Sequence, residues 1–199
     1  MDKAQLEIEF QRHFTEQGFE IDWQRLSLPM SFHAVAKGDF LFRQGDYAQR
    51  LFFLHKGLVR YVKISQDGKE FTKAFVRAPK IIGSTRAMVE NSVTLFGIQA
   101  LQDCVISSYD WQEFYTQMHQ DLGFLTYYSH FMEQIFLTKD TRESAFVEHS
   151  AERRYLDFCV EYPDLKDTIP QQQIASYLGI TPVALSRIRQ RLKLQAQSE

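Results

Sequence analysis

Gln171–Leu192, QQQIASYLGITPVALSRIRQRL, decides how this chain is read. The stretch divides into two short helices about a tight turn. Pro170 suits the first helical position, where a missing N–H costs nothing, and Gly179 ends that helix. Thr181 supplies an N-cap hydroxyl, and the fixed φ of Pro182 starts the second helix. With Gln171 as the first position, apolar residues fall at the fourth (Ile174), eighth (Leu178), tenth (Ile180), fifteenth (Leu185) and eighteenth (Ile188). Small Ala175 is fifth and Gly179 ninth. That is the register of a helix-turn-helix, in which the small residue lets the second helix approach and the glycine permits the bend. The competing reading is a helical hairpin that only packs on a core, a pattern that rarely meets all of these positions at once.

Charge around the motif points the same way. Thr168 to Ser198 contains no acidic residue, whereas Arg187, Arg189, Arg191 and Lys193 lie close together and make the segment +4. The whole chain carries −2, which leaves −6 on the remainder, and a basic end on an acidic body suggests a local anionic partner. At 199 residues, 44% apolar and 24% charged, the chain suits one or two globular domains with a real core. Cys104 and Cys159 have no paired spacing, and the histidines, among them His33, His55, His119 and His130, form no ligand cluster, so neither a disulfide framework nor a metal site is expected. The charged N-terminus and the absence of an 18-residue apolar run indicate no signal peptide and no membrane span, hence a cytoplasmic protein.

Leu6, Phe10 and Phe14, then Phe19 and Ile21, predict a short N-terminal helix or two over one side of a core. From Ser31 to Asp110 short strands alternate with turn signals: Phe40–Phe42, Leu51–Leu54, Leu58–Val62, Lys73–Val76 and runs between Val93 and Tyr109. Asp67-Gly68 is the strongest hairpin dipeptide and predicts a type I′ turn. Strands spaced in this way predict an antiparallel barrel or jelly roll, not βαβ units. Asp110 then caps a helix with Glu113 three residues on. A longer helix follows from about Leu122 to Arg142, with an apolar stripe through Leu122, Leu125, Tyr128, Met132, Ile135 and Phe136 that exceeds what one barrel needs. Leu125, Tyr128, Met132, Ile135 and Phe136 are therefore expected at a subunit contact. Ser150 caps a helix over Ala151–Tyr162, ended by Pro163, with Tyr155, Leu156, Phe158 and Cys159 toward a small C-terminal core. The expected class is α+β: residues 1–143 a sensor roll with flanking helices and a long dimerisation helix at about 120–143, and residues 148–199 a DNA-binding domain.

The order of these parts resembles the cAMP receptor protein/Fnr (Crp/Fnr) family of bacterial transcription regulators over about residues 30–192. On the roll side the resemblance rests on Gly38-Asp39-Phe40-Leu41-Phe42-Arg43-Gln44-Gly45, Leu51-Phe52-Phe53-Leu54-His55-Lys56-Gly57, Asp67-Gly68-Lys69-Glu70 and Ile81-Ile82-Gly83; on the other side it rests on Ile169–Leu192. It implies a cyclic-nucleotide-binding-like jelly roll, a dimerisation helix, a winged-helix-like end, and RNA polymerase as a possible partner. Members that bind cAMP hold the ribose with an acidic residue after the roll glycine and the phosphate with an Arg-Ser or Arg-Thr pair about eleven residues on. Here Ser84 follows Gly83, and Asn91-Ser92-Val93-Thr94-Leu95 has no arginine. A cyclic phosphate would lose charge-assisted bonds worth roughly 1.5–3 kcal/mol each, so an effector other than cAMP is expected. An effector pocket, if the roll keeps one, belongs around Gly83, Ser84, Thr85, Arg86, Ser92 and Thr94. The cysteine cluster of the family's iron–sulfur branch is missing, and no cofactor is identified. Where the family presents Arg-Glu and then Arg on its recognition helix, this chain has Pro182, Val183 and Arg187, so the family's usual operator is not expected. The wing strands beyond that helix are read as cut short.

The resulting expectation is a non-enzymatic regulator that binds palindromic double-stranded DNA as a homodimer. Leu185, Ile188 and Leu192 anchor the recognition helix. Val183, Ser186, Arg187 and Gln190 face the base edges, with Arg187 on a guanine. Gln171, Gln172, Thr181, Arg189, Arg191 and Lys193 hold phosphates. The alternative is a small-molecule-binding roll whose helical C-terminus docks a protein partner. An enzyme of the metal-dependent cupin kind is disfavoured, because the roll offers only His33 and His55 as ligands.

Overall fold

Three side chains at four-residue spacing fix how the chain begins. The computed structural model describes residues 2–196. Helix α1 (Lys3–Thr15) is capped by the Asp2 carboxylate, which accepts the Gln5 N–H at 2.9 Å, and it buries Leu6, Phe10 and Phe14 as the periodicity predicts. Eight strands follow: β1 (Met30–Val35), β2 (Phe40–Phe42), β3 (Arg50–Lys56), β4 (Leu58–Ile64), β5 (Glu70–Arg77), β6 (Lys80–Ile82), β7 (Gly97–Ala100) and β8 (Cys104–Asp110). A short helix α2 (Thr85–Val89) interrupts the series. The strands form two antiparallel four-stranded sheets, ordered β1-β8-β3-β6 and β2-β7-β4-β5. This is the expected roll.

The central strand β3 shows why the roll has two cores. Side chains alternate across a strand, so Leu51 and Phe53 point one way and Phe52 and Leu54 the other. Leu51 and Phe53 meet α1 and join a cluster with Phe10, Phe14, Tyr109 and Trp111. Phe52 and Leu54 enter the space between the sheets with Phe42, Val59, Ile98 and Ile106. Every residue of Leu51–Leu54 is therefore buried, and such a side chain contributes about 1.5–3 kcal/mol.

One turn differs from its prediction. A type I′ turn needs positive φ at both Asp67 and Gly68, yet only Gly68 has it, at 78°. The loop runs from Ser65 to Lys69 instead: Gly68 N–H donates to the Ser65 carbonyl at 3.0 Å, and Ser65 N–H to the Lys69 carbonyl at 3.0 Å. The Ser65 hydroxyl holds the Asp67 carboxylate within this longer loop, so Asp67 keeps negative φ.

Asp110 caps α3 (Trp111–Met118), its carboxylate accepting the Glu113 N–H at 3.0 Å. Helix α4 is longer than predicted, 27 residues from Leu122 to Glu148 rather than ending near Arg142. Its core face is also rotated. Phe124 and Tyr127 are the buried residues, Leu125, Tyr128 and Phe131 flank them, and Leu122 is 79% exposed. Met132 and Ile135 are half-buried, and Phe136 is 68% exposed. A helix apolar on several faces gives no periodicity by which to choose the inner one.

The C-terminal part comprises α5 (Ala151–Glu161), α6 (Leu165–Thr168), α7 (Gln171–Leu178) and α8 (Pro182–Ala196). Ser150 caps α5 by accepting the Arg153 N–H at 3.2 Å. Tyr155 and Phe158 enter the core as expected, but Leu156 is 39% exposed. Helix α6, unread in the sequence, inserts a fully buried Leu165. By internal contacts the chain divides into Met1–Lys63 with Phe75–Ile135, and Ile64–Ala74 with Phe136–Glu199. The hairpin tip counts with the second unit because the Ser176 hydroxyl accepts the Thr72 N–H at 2.7 Å and donates to the Glu70 carbonyl at 3.0 Å.

Candidate nucleic-acid interface

The two helices of the motif are set by a single left-handed residue. Gly179 ends α7 at φ 70°, ψ 29°, and the Ile180 N–H returns to the Ala175 carbonyl at 3.0 Å. Pro170 stands at the N-cap, one place before the position the sequence suggested, and its carbonyl accepts from Gln173 and Ile174. Thr181 caps α8, its hydroxyl oxygen accepting the Ala184 N–H at 3.1 Å. Ile174, Ala175, Leu178, Leu185 and Ile188 are buried, while Ile180 and Leu192 are half-buried. The apolar register therefore folds as its spacing demands.

With Leu185 and Ile188 inward, the opposite face of α8 is open. Val183, Ser186, Arg187 and Gln190 are all exposed and recur at three- and four-residue steps, which puts them on one helical face. Arg187 has no carboxylate partner among the described residues. Gln171 and Gln172 are exposed at the start of α7, and Lys193 is exposed in the last turns of α8.

The other two arginines are engaged within the chain. Arg189 pairs with Asp167 at 3.0 Å, donates to the Lys166 carbonyl at 3.3 Å, and is only 23% exposed at its side chain. Arg191 pairs with Glu152 at the first turn of α5. The segment itself contains no acid, but the fold supplies these two from outside it. Arg187 and Arg191 also border a groove of about 750 Å³ between α8 and the start of α5, with Ser150, Ala151 and Glu152 opposite them. Tyr155, pushed up to about 12 by burial, stays neutral near Arg189 and Asp167.

Sequence reasoning missed what holds α7 in place. Arg142 donates to the Tyr177 carbonyl at 2.7 Å and lies over the Tyr177 ring at 4.0 Å. Arg154 donates to the Leu178 carbonyl at 3.3 Å and to the His149 carbonyl at 2.7 Å. Both cations face the C-terminal carbonyls of α7, where the helix dipole favours positive charge. Phe146 lies between them, 4.9 Å from the Arg142 guanidinium and 4.8 Å from that of Arg154. A Cβ on Gly179 would come within 2.7 Å of the Phe146 ring, so the glycine answers two needs, the left-handed φ and the ring. No local pattern announces these contacts, since the partners are 35 and 24 residues apart.

In the roll, most of the residues expected around an effector are engaged locally. The Gly83 N–H donates to the Tyr61 hydroxyl at 3.2 Å. Ser84, fully buried, caps α2 through the Ala87 N–H. Thr85 opens that helix, and Arg86 pairs with Glu90 at 2.9 Å on the surface. Thr94 donates to the Arg43 carbonyl at 2.8 Å. Among the described residues the buried Ser92 hydroxyl finds no partner. Among the described residues no three acidic, cysteine or histidine side chains gather as a metal site, and no helix is long and apolar enough to cross a membrane.

Residues 32–121 match the model of the cyclic nucleotide-binding domain family. FixK2 of Bradyrhizobium japonicum superposes with a TM-score of 0.73 at 16% identity, covering 85% of this chain and 87% of that one. The c-di-GMP-responsive global regulator CLP of Xanthomonas campestris gives 0.70 at 14% identity, covering 84% and 88%. A transcriptional regulator of the Crp/Fnr family from Eubacterium rectale gives 0.67 at 16% identity, covering 83% and 79%. At these identities the shared property is the fold. None of the curated proteins matches the chain in sequence.

Proposed function

For a chain that carries a cyclic nucleotide-binding domain over residues 32–121 and the fold of the Crp/Fnr regulators, we propose the function of a sequence-specific, DNA-binding transcription regulator. The observation that carries it is the exposed face of α8 with Val183, Ser186, Gln190 and an Arg187 that pairs with no acid among the described residues. A helix presented in this way enters the major groove with its N-terminal residues at base edges. Arg187 pairs with a guanine, and a bidentate pair of this kind supplies about 1–3 kcal/mol of discrimination. Val183 offers only apolar contact, which suits a thymine methyl. Gln171, Gln172, Thr181 and Lys193 meet phosphates, and Thr181 keeps its hydroxyl proton for one because its oxygen serves as the cap acceptor. Arg189 and Arg191 reach phosphates at the expense of their pairs with Asp167 and Glu152.

One such module makes few contacts. The protein acts as a cytoplasmic homodimer joined through α4, with Met132, Ile135 and Phe136 at the contact, on a palindrome whose half-sites lie about 34–36 Å apart. By likeness of fold, RNA polymerase is a further partner. The effector is not cAMP: Ser84 replaces the acid that would hold the ribose and is buried as a helix cap, while Arg86 is turned to Glu90 on the surface. Selection of bound sequences from a random duplex pool tests this reading. Recovery of inverted repeats supports it. A Kd for every duplex no better than millimolar at low salt refutes it and favours a helical end that docks a protein.

A further inference from the structure

We propose that the roll holds a small organic monocarboxylate with an apolar body, in a cleft between its two sheets whose anion-binding group is Arg50. The cleft, open to solvent, has a volume of about 820 Å³ and is bounded by β1, β2, β3 and β8; no residue of the α2 region, Gly83 to Thr94, lines it. Its size lies in the range of small-molecule sites.

Register explains its chemistry. Ser31 and His33 on β1 lie opposite Ser108 and Ile106 on β8, and Phe52 on β3 lies opposite Ser108 from the other side. These side chains share the inner face. Phe42, Phe52 and Ile106 are buried and form an apolar floor, whereas Ser31, His33 and Arg43 are exposed and form a polar rim.

Arg50 stands between floor and rim, half-buried, and pairs with no carboxylate among the described residues. Its cross-strand partner Asp110 turns instead to the Glu113 N–H. Three bonds fix the guanidinium on Ser108: Nε to Oγ at 3.1 Å, Nη2 to Oγ at 3.0 Å and Nη2 to the carbonyl at 3.2 Å. The fully buried Ser108 hydroxyl also meets His33 Nε2 at 3.1 Å. Nη1 therefore has no partner among the described residues, and a guanidinium already held in place offers an anion its remaining donors with little ordering cost.

Two acids, Asp39 and Asp46, also line the cleft, and neither pairs with Arg50 among the described residues. Asp46 is taken up by its own turn, accepting the Arg43 N–H at 2.7 Å, and Asp39 is exposed. Arg43 is drawn over the Phe40 ring at 4.2 Å. A cation above an apolar floor selects a ligand with a carboxylate at one end and hydrocarbon at the other.

The test is calorimetric titration of the full chain with octanoate, 1-octanol and octylamine; no DNA enters, so its outcome is separate from that of the DNA-binding reading. Octanoate is expected to bind at least tenfold more tightly than either control, a difference of about 1.4 kcal/mol. Arg50→Gln removes that preference. Because Arg50 also braces Ser108, a second variant, Ser31→Glu, adds a like charge at the exposed rim and weakens octanoate about fivefold, the Coulomb cost of a repelling charge a few ångströms away in water. Amide shifts on octanoate addition centre on β1, β2 and β3. Equal binding of octanoate and octanol, tighter binding of octylamine, no saturable binding, or shifts centred on residues 83–94 would each overturn the proposal.

Discussion

Replacing Gly179 with alanine probes the turn on which the interface depends. Two costs add. An L-residue at φ 70° gives up about 1–2 kcal/mol for the left-handed conformation. The new Cβ would also meet the Phe146 ring at 2.7 Å, and forcing a methyl into an occupied site costs about 1–3 kcal/mol. Phe146 is 40% exposed and can yield toward solvent, but doing so disturbs the Arg142 and Arg154 guanidiniums that sit on its ring at 4.9 and 4.8 Å. The expected loss is about 2–5 kcal/mol, a large share of the roughly 5–15 kcal/mol that stabilises a typical domain. Amide hydrogen exchange across α7 and α8 reads this directly, because the loss falls on the opening free energy of these helices. Phe146→Ala separates the parts: in the double variant the clash is gone and about 1–2 kcal/mol of conformational cost remains. A Gly179→Ala protein with α7 protection within about 0.5 kcal/mol of the parent, the range of a neutral surface change, refutes the reasoning. So does a double variant that recovers nothing.

Three further outcomes are expected. Arg187→Ala relaxes base preference at one position of the selected site, by about 1–3 kcal/mol, whereas Arg191→Ala weakens every duplex alike and lowers the salt slope by about one; equal losses on all sequences for both variants would remove the base-reading role of Arg187. Stability falls on acidification through the window from pH 6.5 toward about 4, because burial, with Lys80 nearby, lowers His13 from 6.5 to about 4, so only the unfolded chain takes up that proton. Partial exposure of the ring holds the effect to about 1–2 kcal/mol, and His13→Phe flattens the denaturation midpoint across that window. His55, lowered by burial against the opposing pull of Glu9, acts in the same sense, so some slope survives the substitution. Asp110→Ala removes the cap of α3 and costs about 1 kcal/mol by denaturant unfolding, with no effect on DNA affinity.

Local information was legible in the residues themselves. Caps at Asp110, Ser150 and Thr181, the apolar spacing of α1, and the register from Gln171 to Ile188 all act within one or two helical turns. Each rests on backbone geometry that repeats every 3.6 residues, so a pattern of residue types suffices to read it. The face Val183, Ser186, Arg187 and Gln190 follows from the same geometry once Leu185 and Ile188 are known to be inside. Strand spacing likewise announced a roll.

What tertiary structure decided is everything that depends on a partner distant in sequence. The apolar residues of α4 surround the helix, so only packing against α1 and α3 selected Phe124 and Tyr127 as its inner face. Asp67-Gly68 is compatible with two turns, and the bonds of Ser65 chose the longer one. Arg189 and Arg191 looked unbalanced until the fold brought Asp167 and Glu152 beside them, whereas Arg187 pairs with no acid among the described residues. Gly179 could be read as a bend from its position, but only the approach of Phe146 makes a side chain there impossible without movement. Arg50 gave no signal in the chain at all: its meaning comes from Ser108, 58 residues away, which holds it at the edge of a cleft that exists only when two sheets face each other. Periodicity encodes which side of an element is buried, whereas charge pairing and cavities are properties of the distances between elements, and those are set by packing.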